Sequence, residues 1–150
     1  MALDQSFVGR TYPPTPAYEV GREKIREFAE AVGDANPAYV DAEAARALGH
    51  ADVIAPPTFV FSITYRAAGA VVQDPQLGLD YSRVVHGDQK FSYVRPVRAG
   101  DRLTVTSTIE GIKSLAGNDV LDIRGDVYDE AGELVVTALT KLVARAAEEA

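Results

Sequence analysis

The sequence predicts an α+β domain in which a curved antiparallel sheet of about five strands wraps one strongly apolar helix. Three observations predict it. Helical periodicity is confined to the first half of the chain, and a period-two pattern takes over from Val84. Between them lies Phe59 to Val72, a segment apolar nearly all round, as a helix buried on most sides must be.

The elements follow in order. Tyr12-Pro13-Pro14-Thr15-Pro16 is extended, because closely spaced prolines fix φ and remove amide donors. Tyr18-Glu19-Val20 is a short strand. Arg22 to Val32 is a helix, with Ile25, Phe28, Ala29 and Val32 on one face and charges on the other, stopped by Gly33. Asp41 caps a second helix that runs through Leu48, with Gly49 after it. The loop Ile54-Ala55-Pro56-Pro57 delivers Thr58 to the third helix, and Pro57 suits its start. Turns at Gly100-Asp101, Gly117-Asn118 and Asp129-Glu130-Ala131-Gly132 then divide a meander of strands that ends with Leu134 to Val143. A sheet of this size has exposed edges and an uncovered face, and dimerisation manages both.

Composition bounds the function. At 150 residues the chain reads as a single domain, 1–150, able to bury roughly 70% of its unfolded surface. A mean hydropathy of -0.06 and the lack of any long apolar run leave no membrane span. The first six residues have neither the basic region nor the apolar core of a secretory signal. With no cysteine, disulfides and thiolate metal sites are excluded, which fits a cytoplasmic protein. A net charge of -7 argues against nucleic acid, since phosphates are repelled. Much of this acid lies in short helices and the Glu148-Glu149 tail, a solubilising surface. The two histidines, His50 and His86, do not make a metal cage, and no cofactor is called for. His50, at a helix end, reads as a partner for the helix dipole.

The chemistry concentrates in Gly33-Asp34-Ala35-Asn36-Pro37-Ala38-Tyr39. Taken alone it is a helix stop followed by an Asx-Pro turn. With Ala45-Arg46-Ala47-Leu48-Gly49, Ala55-Pro56-Pro57-Thr58-Phe59 and Arg95-Pro96-Val97-Arg98-Ala99-Gly100-Asp101, it resembles the MaoC-like hot-dog dehydratases. Within these the chain more closely resembles the N-terminal, fatty-acid-synthase-like dehydratase half and the HadA/HadC accessory subunits of mycolic-acid-type (3R)-hydroxyacyl-ACP dehydratases. The resemblance runs from Val8-Gly9 to Leu142. It implies a hot-dog fold, an acyl-ACP or acyl-CoA thioester as ligand, and a homo- or heterodimer, the latter with a histidine-bearing catalytic subunit.

The family pattern is Gly-Asp-x-Asn-Pro-x-His, and Tyr39 stands here in place of the histidine. Hydrating a 2-enoyl thioester, or the reverse, needs one group for the C2 proton and another to position water. The resemblance carries these roles to Asp34 and position 39, with Asn36 in the same loop. A phenol with a reference pKa of about 10 is roughly 0.1% ionised at neutral pH, so Tyr39 is a poor base. It either donates a hydrogen bond to the thioester carbonyl or to water, or simply packs. Pro56 and Pro57 also lack the amide that a helix N-terminus offers a thioester oxygen, so donation falls to Thr58 or beyond. His86, at the start of a strand, is the one residue able to supply the missing imidazole, against a purely structural role. The expected function is therefore a substrate-binding accessory subunit of a hydro-lyase. The alternative is a self-sufficient homodimeric (R)-specific enoyl-CoA hydratase that uses Asp34 with His86. A thioesterase ranks last, since the third helix offers only Ser62, Thr64 and Arg66 as polar groups.

Overall fold

A computed structural model describes residues 2–146, and the Glu148-Glu149 tail lies outside them. The chain runs β1 (Tyr18–Glu19), α1 (Arg22–Val32), α2 (Ala42–Ala47), α3 (Phe61–Val72), β2 (Val84–Tyr93), β3 (Arg102–Leu115), β4 (Asn118–Tyr128) and β5 (Leu134–Ala144). All neighbouring strands are antiparallel, in the spatial order β1-β3-β4-β5-β2. The meander β3-β4-β5 follows the sequence, and β2 returns to the far side of β5.

Local chemistry accounts for the turns. Ala116 and Gly117 both have positive φ (51° and 81°), the backbone of a tight two-residue hairpin whose twist matches its strands. Asp129 accepts from the amides of Ala131 and Glu133, both at 3.0 Å, and so closes the β4-β5 turn. Breaks in register at His86/Asp88, Ile109/Gly111 and Val127/Tyr128 are bulges that bend the strands, and they let the sheet curl round α3. Leu103, Val105, Ile109, Ile123 and Val127 face that helix at 0–2% exposure.

The β2-β3 connection is tied by Arg95. Its guanidinium grips the buried Asp101 carboxylate through two bonds of 2.9 and 3.0 Å, and Asp101 also accepts from the Arg98 amide. The carboxylates of Asp101 and Asp129 raise the Arg95 pKa still further.

Two expectations are corrected. The third helix begins at Phe61 rather than Phe59, because residues 57–60 form turns in which Phe59 donates to Pro56 and Phe61 to Thr58. It is also not buried all round. Ile63, Thr64, Ala67, Ala68 and Val71 lie buried, whereas Ser62 and Arg66 are exposed on the opposite side, so the sheet covers one face. The two edges of the sheet differ as well. The segment before β1 lies along β3, with Gly9, Tyr12 and Thr15 donating to the Ile109, Ser107 and Val105 carbonyls, while the outer edge of the ten-residue β2 has no strand beside it among the described residues.

Candidate active site

The site is built where α1 ends. Gly33 takes φ 73°, which only glycine adopts without strain, and this lets the Asp34 amide turn back onto the Ala29 carbonyl at 2.9 Å. Asp34 is thereby fixed at the surface, where its Oδ1 accepts from the Asn36 amide at 3.4 Å. Asn36 then accepts from the Ala38 amide at 3.0 Å and caps a short 3-10 turn, Pro37–Tyr39. Its side-chain oxygen is engaged in holding the loop.

That turn drives Tyr39 inward. The ring is 6% exposed and belongs to the core cluster with Phe59, Ala55 and Val97. Its hydroxyl lies close to Asp34, and its pKa is raised above the ordinary phenol value, by burial first and by the Asp34 charge second. Both effects hold the proton on the phenol at neutral pH.

Tyr39 also lines a small cavity of about 240 Å³ shared with Ile54, Ala55, Pro57 and Tyr93. Across it the Tyr93 hydroxyl donates to the Pro57 carbonyl. Sequence reading missed Tyr93, because a tyrosine in a strand is unremarkable until a tertiary partner is seen. Pro57 and Thr58 are exposed. The Thr58 carbonyl receives the Phe61 amide, while its own amide meets no acceptor among the described residues. That amide is a donor available to an oxygen placed at the entrance to α3.

His86 reaches α3 from β2. It stands at the other end of β2 from Tyr93, about 20 Å away at the usual strand rise. Its ring stacks on Phe61 at 5.4 Å between centroids, and its Nε2 is 3.1 Å from Gln89 Oε1. The Thr140 hydroxyl donates to the same Gln89 oxygen, and Gln89 Nε2 is buried with no partner among the described residues. Within one chain, then, Asp34, Asn36 and Tyr39 share one loop, Pro57 and Thr58 lie at the entrance to α3, and His86 stacks on Phe61, the first residue of that helix. Among the described residues no cluster of His, Asp and Glu could hold a metal.

A curled antiparallel sheet around one helix is the hot-dog fold. A family model described as the FAS1-like dehydratase domain region matches residues 6–138, and the chain belongs to that family, within the MaoC-like hot-dog dehydratases. A UPF0336 protein of Streptomyces griseus is 93% identical over the full length of both chains, and one of Saccharopolyspora erythraea is 59% identical over 99% of this chain and 96% of its own. Among solved structures, a MaoC-like dehydratase is 34% identical with a TM-score of 0.88 over 95% of this chain, which spans 43% of that longer protein. The HadBC (3R-hydroxyacyl-ACP dehydratase) complex of Mycobacterium tuberculosis contains a chain 33% identical, with a TM-score of 0.83 over 95% of this chain and 99% of that one. No helix among the described residues is long and apolar enough to cross a membrane.

Proposed function

We propose that this single-domain cytoplasmic chain is the substrate-binding subunit of a (3R)-hydroxyacyl-thioester dehydratase, with a catalytic partner that supplies the imidazole. One observation carries the reading. The side chain at the position of the family's histidine is a buried phenol whose pKa is raised by its surroundings, so the Asp34 loop keeps its shape and lacks its base. Asp34 and the free Thr58 amide remain able to orient a thioester, while Asn36 and Pro57 hold the loop and the helix entrance. The uncovered edge of β2 is where a second hot-dog chain would extend the sheet.

The experiment is hydration of crotonyl-CoA by the purified chain, alone and mixed with a hot-dog chain carrying an intact Gly-Asp-x-Asn-Pro-x-His. Alone it turns over slowly or not at all; mixed, it enters an active complex. Robust turnover by the isolated chain, abolished in Asp34→Asn, would establish the self-sufficient hydratase instead.

A further inference from the structure

In a chain of net charge -7, most lysines and arginines are neutralised. Arg10, Arg22, Arg26, Arg95, Arg102 and Arg124 all lie against carboxylates. Lys24 and Arg66, like Arg46, Lys113 and Arg145, neither touch a carboxylate nor donate a side-chain hydrogen bond among the described residues. Lys24 sits in the first turn of α1 and Arg66 on the outer face of α3, 42 positions later in the chain, yet the two line one cleft of about 430 Å³.

The rest of that cleft is apolar or neutral. Pro16, Ala17 and Tyr18 form one wall, Ile63 and Ala67 the floor, and no carboxylate lines it. The wall is held rigidly. The Thr15 amide donates to the Val105 carbonyl at 3.0 Å, the Val105 amide donates back to Thr15 Oγ1 at 3.0 Å, and Tyr18 pairs with Leu103. An apolar trough rimmed by two unpaired cations suits a long, mostly uncharged ligand that carries a phosphate. Glu27, one turn along α1 from Lys24, tempers the field without entering the cleft.

We propose that this cleft receives the phosphopantetheine arm of an acyl thioester, with its phosphate between Lys24 and Arg66. The assignment rests on the acyl-thioester reading and deepens it. Lys24 and Asp34 stand at opposite ends of α1, about 15 Å apart at the helical rise, a span that an extended pantetheine arm covers. A phosphate at one end thus leaves the thioester within reach of the Asp34–Tyr39 loop at the other.

The test is calorimetric binding to the intact chain of pantetheine, 4′-phosphopantetheine, CoA and a holo-acyl carrier protein. The phosphorylated arm should bind about 10-fold tighter than pantetheine, with the advantage shrinking as salt rises. Lys24→Gln and Arg66→Gln should each weaken it roughly 3- to 10-fold and leave pantetheine unchanged, as expected for losing one exposed charge contact. Loss with either CoA or the carrier protein supports the site and names the source of the phosphate. Unchanged binding of both by the double variant overturns it. So does CoA binding tightly while 4′-phosphopantetheine binds no better than pantetheine, since the nucleotide phosphates would then be the ones held. Crotonyl-pantetheine separates this inference from the function it rests on. If the acyl group tightens binding but phosphate adds nothing, the cleft assignment fails alone; if phosphate matters and the acyl group does not, the thioester reading fails.

Discussion

Replacing Tyr39 with histidine puts an imidazole beside Asp34 in a loop already shaped to present both. The wild-type phenol, buried and next to a carboxylate, has its pKa raised from 10.0, so less than about 0.1% is ionised at neutral pH. An imidazole near its reference pKa of about 6.5 is mostly neutral there, a gain of roughly 10³ in available base. Burial lowers an imidazole pKa and the Asp34 charge raises it, so the two influences oppose each other and leave the group titrating near neutrality. A positioned base contributes about 10²–10⁴ in rate. We expect the low end, about 10²-fold over wild type, because the cavity lined by Tyr39, Pro57 and Tyr93 is shaped around a phenol. The absolute rate should remain below that of an intact site, since Pro56 and Pro57 withhold amide donors and one such donor is worth about 10²–10³. The assay is loss of enoyl-thioester absorbance for wild type, Tyr39→His and the Asp34→Asn, Tyr39→His double variant, with a thermal melt to verify folding. Activity should fall as pH drops through the imidazole pKa, where the base is protonated. A folded Tyr39→His with no gain refutes the argument that the missing imidazole is the lesion, and equal activity in the double variant shows Asp34 to be a turn residue only.

Two further outcomes concern stability. Phe59 is 1% exposed and meets Phe28 edge to face at 5.5 Å between centroids, so Phe59→Ala should cost about 3–5 kcal/mol and lower the melting temperature by roughly 10 °C; a shift within a degree or two would contradict its place in the core. Asp129 is held below the ordinary carboxylate range, chiefly by the Glu133 amide and then by Arg95. Its contribution is therefore complete above the unfolded carboxylate pKa of about 4 and is lost as pH falls through the lower folded value, so Asp129→Asn should flatten stability against pH in urea titrations below pH about 4. An unchanged acid limb would show that the Asp129 charge does not matter there.

The helix α1 was legible to the residue, because its stripe of Ile25, Phe28 and Ala29 and its stop at Gly33 are both local signals. The start of β2 at Val84 was legible for the same reason: a change of period needs no knowledge of the fold. What escaped depended on tertiary contacts. The entrance to α3 is displaced two residues past the expected point, where Tyr93 holds the Pro57 carbonyl from 36 positions away and the chain turns before it coils. The open face of α3 escaped because hydrophobicity counted around a helix says nothing about whether the sheet reaches all sides; Ser62 and Arg66 were visible in the sequence and were outvoted by their neighbours. Tyr39 was recognised as the decisive position, yet its burial beside Asp34, which turns a weak base into a weaker one, belongs to the packing.

The edges of the sheet carry the last step. Exposed edges were foreseen, but not which one would stay open. The prolines at 13, 14 and 16 were read only as a bar to helix, and in the fold that same stiffness lets the segment lie extended along β3, where Thr15 still has the amide that pairs with Val105. With β3 covered by the two-residue β1 and the segment before it, the ten-residue β2 is the long open edge among the described residues, and His86 and Tyr93 both sit on it. A partner strand added there would lie beside the two aromatic groups that flank α3, so the surface most suited to joining a second chain is also the one that would bring that chain's residues to this site.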